Sequence, residues 1–216
     1  MSTRQLKNGF LKDQAYLEIK DEIMNGNLTP GDFISENVLS EKLNMSRTPI
    51  RSALQRLEHD GIVRILPKQG IYICEISVKQ INDVYEMRTS LETFAIKKLA
   101  HTIEKFQIEE LKEILKQQYE QIELKDPNLF IEYDTIFHLK LMEFIDNKEM
   151  YNAFSSIEEK LTFYGKEIIK KNFERLKNSY EEHERILSEL EKGNEEASIK
   201  EMENHLQNGR RVLLGN

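Results

Sequence analysis

The chain has 216 residues, of which 32% are charged and 39% hydrophobic, a composition typical of a globular protein with one or two domains. A single cysteine excludes an intramolecular disulfide, and the opening stretch MSTRQLKNGFLKDQ lacks the apolar segment of a secretion signal. No stretch is apolar enough to span a bilayer, so we expect a cytoplasmic protein without membrane contact.

The net charge of −7 is unevenly distributed along the chain. Residues 1–76 carry ten basic and ten acidic side chains, so the whole acidic excess falls in 77–216. Within 44–70, five basic residues accompany only two acidic ones. This local positive charge is compatible with a nucleic-acid partner, and the contrast predicts two domains, residues 1–76 and 77–216.

Three helices are predicted near the N-terminus. Residues 13–26 have apolar side chains at helical spacing, with Asp13 as a candidate N-cap. ISENVLSEKLN predicts a second helix that begins after Ser35, and SRTPIRSALQRLEHDG predicts a third that begins after Ser46. Pro49 falls in the first turn of the third helix, where its missing N–H costs nothing. The short connection between the last two helices predicts a helix-turn-helix.

The third helix has one apolar face, on which Ile50, Ala53, Leu54 and Leu57 recur at helical spacing. Arg47, Thr48 and Arg51 point away from that face, around the N-terminal turns. A short helix with a buried back and a basic front fits the major groove of DNA, where arginine can bond bidentately to guanine.

A β-hairpin is predicted directly after this helix. In IVRILPKQGIYI, apolar residues alternate on both sides of PKQG. A hairpin beside a helix-turn-helix forms a wing, and its tip would bring Lys68 and the backbone of Gly70 against phosphates or the minor groove.

The stretch from PGDFISENVLSEKLN through SRTPIRSALQRLEHDGIVRILPKQGIYI resembles the DNA-binding domain of GntR-type bacterial transcription regulators. The resemblance covers nearly all of residues 13–73. It implies that Ser46, Arg47, Thr48 and Arg51 contact the operator and that Gly70 lies at the tip of the wing.

The acidic remainder predicts an all-α bundle, because helical periodicity dominates and strand-like alternation is absent. The sequence predicts about six helices, near 78–101, 107–124, 128–145, 148–170, 175–192 and 195–213. The predicted fold is therefore mainly α, a winged helix-turn-helix followed by a helical bundle.

Four polar residues fall on the inward faces of these helices. Asp134 and His138 are four residues apart and can converge on one point, while His183 and His205 lie on two later helices. One carboxylate and three imidazoles suit a divalent zinc, nickel, manganese or iron ion. The alternative is that these histidines are ordinary core residues and that Asp134 and His138 form a hydrogen-bonded pair.

The segments DTIFHLKL, EEHERIL and MENHL resemble the metal-ligand segments of the FCD domain, the helical effector domain of FadR-type GntR regulators. The resemblance implies metal ligation by Asp134, His138, His183 and His205, with zinc favoured. Arg88 lies on an apolar stripe, where a buried guanidinium needs an anionic partner. That partner is either Glu92, four residues on, or the carboxylate of a ligand, and RTSLE resembles the FCD segment whose arginine binds acidic effectors.

These observations predict a ligand-responsive regulator, a repressor that binds a palindromic operator as a homodimer. A small carboxylic acid bound near the metal would set its affinity for double-stranded DNA. Two alternatives remain at this point: a metal-sensing regulator without an organic effector, and a metalloenzyme in which the metal activates water.

Overall fold

Three helices and a small sheet form the N-terminal part of the described chain. The computed structural model describes residues 3–24, 26–75 and 77–215, and the contacts divide the chain into two units, Met1–Ser77 and Val78–Asn216. The helices of the first unit are α1 (Thr3–Met24), α2 (Glu36–Lys42) and α3 (Arg47–His59). Its strands are β1 (Phe33–Ile34), β2 (Val63–Leu66) and β3 (Gly70–Ile73).

Helix α3 buries the apolar face that its sequence predicts. Ile50, Ala53, Leu54 and Leu57 are all within 1% of complete burial, and α3 packs against α1 and α2. Two predicted caps differ from the structure. Asp13 lies inside α1 because this helix extends far upstream of it, and Ser46 occupies the N-cap position without a capping hydrogen bond from its side chain. Ser35 does cap α2, since its Oγ accepts from the backbone N–H of Val38 at 3.3 Å.

The predicted hairpin is present, and a third strand that was not predicted extends it to a three-stranded sheet. β2 and β3 pair antiparallel with Val63 opposite Ile73 and Leu66 opposite Gly70, and β1 pairs with the other edge of β3. Two residues are too few for the alternation that predicts a strand, so only the tertiary structure reveals β1. The winged helix-turn-helix of the predicted fold is confirmed.

The second unit is helical throughout its described residues, which confirms the predicted bundle. Its helices are α4 (Val78–Thr102), α5 (Lys105–Leu124), α6 (Pro127–Phe144), α7 (Lys148–Ser155), α8 (Glu158–Lys171), α9 (Arg175–Glu191) and α10 (Glu195–Leu214). α10 packs against α4, α8 and α9, and α6 packs against α4, α5 and α8. These contacts bring the inward faces of α4, α6, α9 and α10 to one core.

The helix predicted over 148–170 is in fact two helices, which raises the number in this unit above six. The break falls at Ser156 and Ile157, where Oγ of Ser156 donates to the carbonyl of Ala153 at 2.7 Å. Ile157 is the N-cap residue of α8, with φ −108° and ψ 0°, and buries its side chain. A serine hydroxyl that bonds local backbone competes with the helix, and the apolar spacing alone does not reveal this.

Among the described residues, every helix is too short or too polar to cross a membrane.

Candidate functional site

The second unit brings four predicted metal ligands together. Asp134 and His138 come from α6, His183 from α9 and His205 from α10, and their ligand atoms all lie within 4.8 Å of one another. The three histidines are almost completely buried, whereas Asp134 keeps partial exposure. Three helices thus converge on one point, which spacing along the sequence could suggest but not establish.

The imidazoles direct their Nε2 atoms toward each other. Nε2 of His205 lies 3.2 Å from Nε2 of His138 and 3.3 Å from Nε2 of His183. The Asp134 carboxylate completes the group, with its oxygens 3.6 Å from Nε2 of His183 and 3.9 Å from Nε2 of His138. A cation placed between these atoms could accept an electron pair from each of the four groups.

The Nδ1 atom of each imidazole, on the side of the ring away from the cluster, contacts a different buried side chain. The contacts are His138 with Glu92 at 2.5 Å, His183 with Gln118 at 3.0 Å and His205 with Glu182 at 2.8 Å. Such partners fix the ring orientation and make metal-ligating histidines better donors. The sequence predictions missed Gln118 and Glu182, although Glu182 directly precedes His183 in the chain.

The electrostatics of the site favour the neutral form of two of the histidines. Burial, reinforced by nearby positive charges, lowers the pKa of His183 and His205 well below the ordinary histidine value. Neutral imidazole is the form that ligates a metal ion. The donor set is therefore ready for a cation without prior loss of protons from these two rings.

Arg88 makes the buried ion pair with Glu92 that its sequence spacing allows. Its Nε donates to Oε1 of Glu92 at 2.6 Å, and the other carboxylate oxygen faces His138. Burial alone would raise the pKa of Glu92, but the neighbouring Arg88 and, after it, His138 outweigh burial and lower that pKa to about 2. Glu92 is thus a carboxylate that links the arginine to the histidine cluster.

A second arginine forms a similar chain. Nη2 of Arg175 donates to Glu182 at 2.5 Å, and the same carboxylate oxygen contacts His205. Asn208 donates to the other oxygen at 2.8 Å. Sequence reasoning missed Arg175, although Arg175 and Glu182 are seven residues apart on α9 and therefore share a face.

A cavity of about 50 Å³ adjoins the cluster. Arg88, Asp134, His138, Arg175 and His205 all line it, together with apolar side chains from α6, α8, α9 and α10. The geometry joins cationic groups, ligand-competent atoms and apolar walls around one small space. Such a space can hold a small molecule.

In the first unit, the predicted DNA-contacting residues of α3 are exposed. Ser46, Arg47 and Thr48 surround the N-terminus of the helix. Arg51 is also exposed, and its Nε donates to the Glu36 carboxylate of α2 at 2.8 and 3.0 Å. This contact ties the guanidinium to the first residue of α2.

The wing tip depends on the backbone of Gly70. Lys68 is exposed with a positive φ of 66°, and Gly70 has φ 110°. A Cβ atom on Gly70 would lie 2.8 Å from the carbonyl oxygen of Ile34. β1 can therefore lie this close to β3 only because residue 70 is a glycine.

Comparisons with known proteins agree with this architecture. Residues 11–73 match the family described as bacterial regulatory proteins, gntR family, and residues 83–208 match the FCD domain. The HTH-type transcriptional regulator YdhC of Bacillus subtilis is 30% identical over 86% of this chain and 83% of its own length. The gluconate operon transcriptional repressor of Bacillus licheniformis is 29% identical over 81% of this chain and 70% of its own.

The fold also has counterparts among solved structures. The GntR transcriptional regulator of Rhodococcus sp. RHA1 superposes with a TM-score of 0.76 at 20% identity, covering 94% of this chain and 97% of that one. Because the sequence relatives are transcription regulators, the metalloenzyme alternative is set aside. The chain belongs to the gntR family of bacterial regulatory proteins and joins that family's helix-turn-helix domain to an FCD domain.

Proposed function

We propose that the protein is a repressor that binds a palindromic operator as a homodimer in the cytoplasm. A small carboxylic acid, bound beside a divalent metal ion in the helical domain (77–216), changes the affinity of the winged domain (1–76) for DNA. The observation that carries this proposal is the buried cluster of Asp134, His138, His183 and His205 beside Arg88. Such a cluster has an evident use in a regulator, since it can receive a chemical signal.

The DNA surface of the proposal consists of the first turns of α3 and the tip of the wing. Arg47 and Arg51 would read base edges, while Ser46 and Thr48 would contact phosphates near the helix N-terminus. The first-turn N–H groups of α3 have no side-chain cap, which leaves them available to a phosphate oxygen. Lys68 and the backbone at Gly70 would add contacts from the wing.

The residues of the cluster fit a divalent metal ion. Asp134, His138, His183 and His205 would hold it, and zinc is favoured because imidazole and carboxylate are its usual nitrogen and oxygen ligands. Two Nε2 atoms can lie this close only if a proton forms a hydrogen bond between them or a cation binds both lone pairs. A bound cation would therefore account for these contacts between buried imidazoles. When bound, the ion would supply positive charge for an anionic oxygen of the effector.

The effector would act through a difference in affinity between two arrangements of the protein. A ligand that binds one arrangement better than another shifts the population toward it, and a coupling of about 1–3 kcal/mol changes the affinity for the operator about five- to 150-fold. Release of DNA on effector binding is favoured here because the relative from Bacillus licheniformis is named a repressor.

Metal content tests the proposal most directly. Tag-free protein purified without chelator is expected to contain about one divalent ion per chain, and the His138→Ala/His183→Ala/His205→Ala variant is expected to contain none. The matched control replaces the two remaining histidines, His59 and His101, which lie outside the cluster, and it should retain the ion. Absence of metal from both the unmodified protein and the control would refute the metal site.

A second experiment separates an acid-responsive regulator from a metal sensor. Arg88→Met is expected to keep the metal but to lose the effect of small carboxylates on operator binding. If short carboxylates alter DNA affinity equally in both proteins, Arg88 does not hold the effector. If they alter it in neither protein while metal removal does, the metal itself is the signal.

A further inference from the structure

Two buried arginines each leave one terminal nitrogen without a hydrogen-bond partner. Nη2 of Arg88 and Nη1 of Arg175 have no such partner among the residues that the structure describes. Both side chains are more than nine-tenths buried, and both line the cavity beside the histidine cluster. An unpaired buried N–H is costly, so two of them on one cavity indicate a missing acceptor.

The charges around the cavity limit what that acceptor can be. Arg88 and Arg175 are opposed by three carboxylates, those of Glu92, Asp134 and Glu182, which leaves one negative charge. The histidines add none when they ligate a metal, because ligation requires the neutral form. A divalent ion would therefore turn the balance into one positive charge, which a monoanion neutralises and a dianion reverses. A buried net charge is strongly disfavoured.

The size and walls of the cavity restrict the rest of the molecule. About 50 Å³ holds only a few water-sized groups. Phe130, Leu161, Ile168 and Leu206 provide apolar walls. At Gly209 a Cβ atom would lie 2.8 Å from the hydroxyl of Tyr85. The absence of a side chain at Gly209 therefore leaves room for the Tyr85 phenol in the cavity wall.

We propose that the cavity binds a short monocarboxylate with a largely apolar tail, that its carboxylate is shared between the metal position and both guanidiniums, and that dicarboxylates are excluded. This inference rests on the proposed function, because it specifies the effector class of the same site. It assigns Arg175 as a second anchor for the acid, and it assigns Glu92 and Glu182 the setting of the charge that the ligand must carry.

Calorimetric titration of the full chain, loaded with one zinc ion, tests the charge rule directly. Butyrate and succinate have the same number of carbons but carry one and two carboxylates, and butyramide carries none. Butyrate is expected to bind at least tenfold more tightly than succinate, and butyramide is expected not to bind. Succinate binding as tightly as butyrate would overturn this inference while the carboxylate effector stands. Failure of both acids would overturn the inference and the proposed effector together.

Two variants test the assigned residues. Arg175→Met is expected to weaken butyrate binding at least tenfold with the zinc content unchanged. Glu182→Gln removes one negative charge beside the cavity with little change of shape, so the preference for butyrate over succinate is expected to fall at least fivefold. Glu184→Gln makes the same charge change on the exposed side of α9 and should leave the preference unaltered. An unchanged preference in Glu182→Gln would overturn the charge rule, and wild-type butyrate affinity in Arg175→Met would remove the second anchor.

Discussion

Replacement of Arg51 by alanine is expected to reduce operator affinity strongly while leaving the fold intact. The side chain is 63% exposed and pairs with a Glu36 carboxylate that is 27% exposed, so the lost ion pair should lower the free energy of unfolding by less than about 1 kcal/mol. A good bidentate arginine–base contact is worth about 1–3 kcal/mol. Because the proposed homodimer would present two copies, the expected loss is about 2–6 kcal/mol, or at least thirtyfold in affinity.

Fluorescence anisotropy at fixed salt would measure this loss, with an operator duplex and a scrambled duplex of equal length. The specific affinity should fall toward that for scrambled DNA, which should itself change little. Arg56→Ala is the matched control, because Arg56 is an exposed arginine of the same helix that stacks over the Tyr16 ring at 3.8 Å. An unchanged ratio of specific to scrambled binding in Arg51→Ala, or an equal loss in Arg56→Ala, would refute the recognition-helix assignment.

Three other predictions concern the wing and the histidine cluster. Lys68→Ala is expected to reduce the slope of log affinity against log salt by about one for each wing, and an unchanged slope would exclude a phosphate contact. Gly70→Ala should lower the free energy of unfolding in urea by about 2–4 kcal/mol, because residue 70 has a positive φ and its new Cβ would clash with backbone. Gly31→Ala also has a positive φ but meets only the flexible Glu75 side chain, so it should cost less. Equal losses in the two variants would contradict the backbone clash. In metal-free protein, burial and nearby positive charges lower the pKa of His183 and His205, so the unfolded chain binds more protons below about pH 6.5. The free energy of unfolding should therefore fall as the pH falls, by up to about 2.7 kcal/mol per pH unit, and a flat profile between pH 7 and 5 would show that these rings are not buried neutral.

The local sequence was sufficient to predict the recognition helix and the hairpin. In α3, the spacing of Ile50, Ala53, Leu54 and Leu57 follows directly from the helical period, and those residues are buried as predicted. In the wing, alternation around PKQG reflects the two-residue period of a strand. Both signals are short-range, so neither requires knowledge of the rest of the chain.

Features that depend on competition between local groups were predicted less well. The break between α7 and α8 falls where the Ser156 hydroxyl bonds to backbone, and the apolar pattern runs across it without interruption. β1 consists of two residues and exists because Gly70 lets the β3 edge approach it closely. In both cases the deciding interaction is too weak or too distant to leave a pattern in the sequence.

Some features of the candidate site could likewise be predicted from the sequence, and others only from the tertiary structure. The sequence by itself determined which helices carry inward histidines, because burial on a helix follows the 3.6-residue period. Only the packing of α4, α6, α9 and α10 decided that His138, His183 and His205 meet at one point and that separate side chains hold each ring. Arg175 became visible only there, because its role depends on a cavity enclosed by helices that are distant in sequence. Periodicity fixes the direction of a side chain from its own helix, whereas the convergence of several side chains depends on how the helices cross.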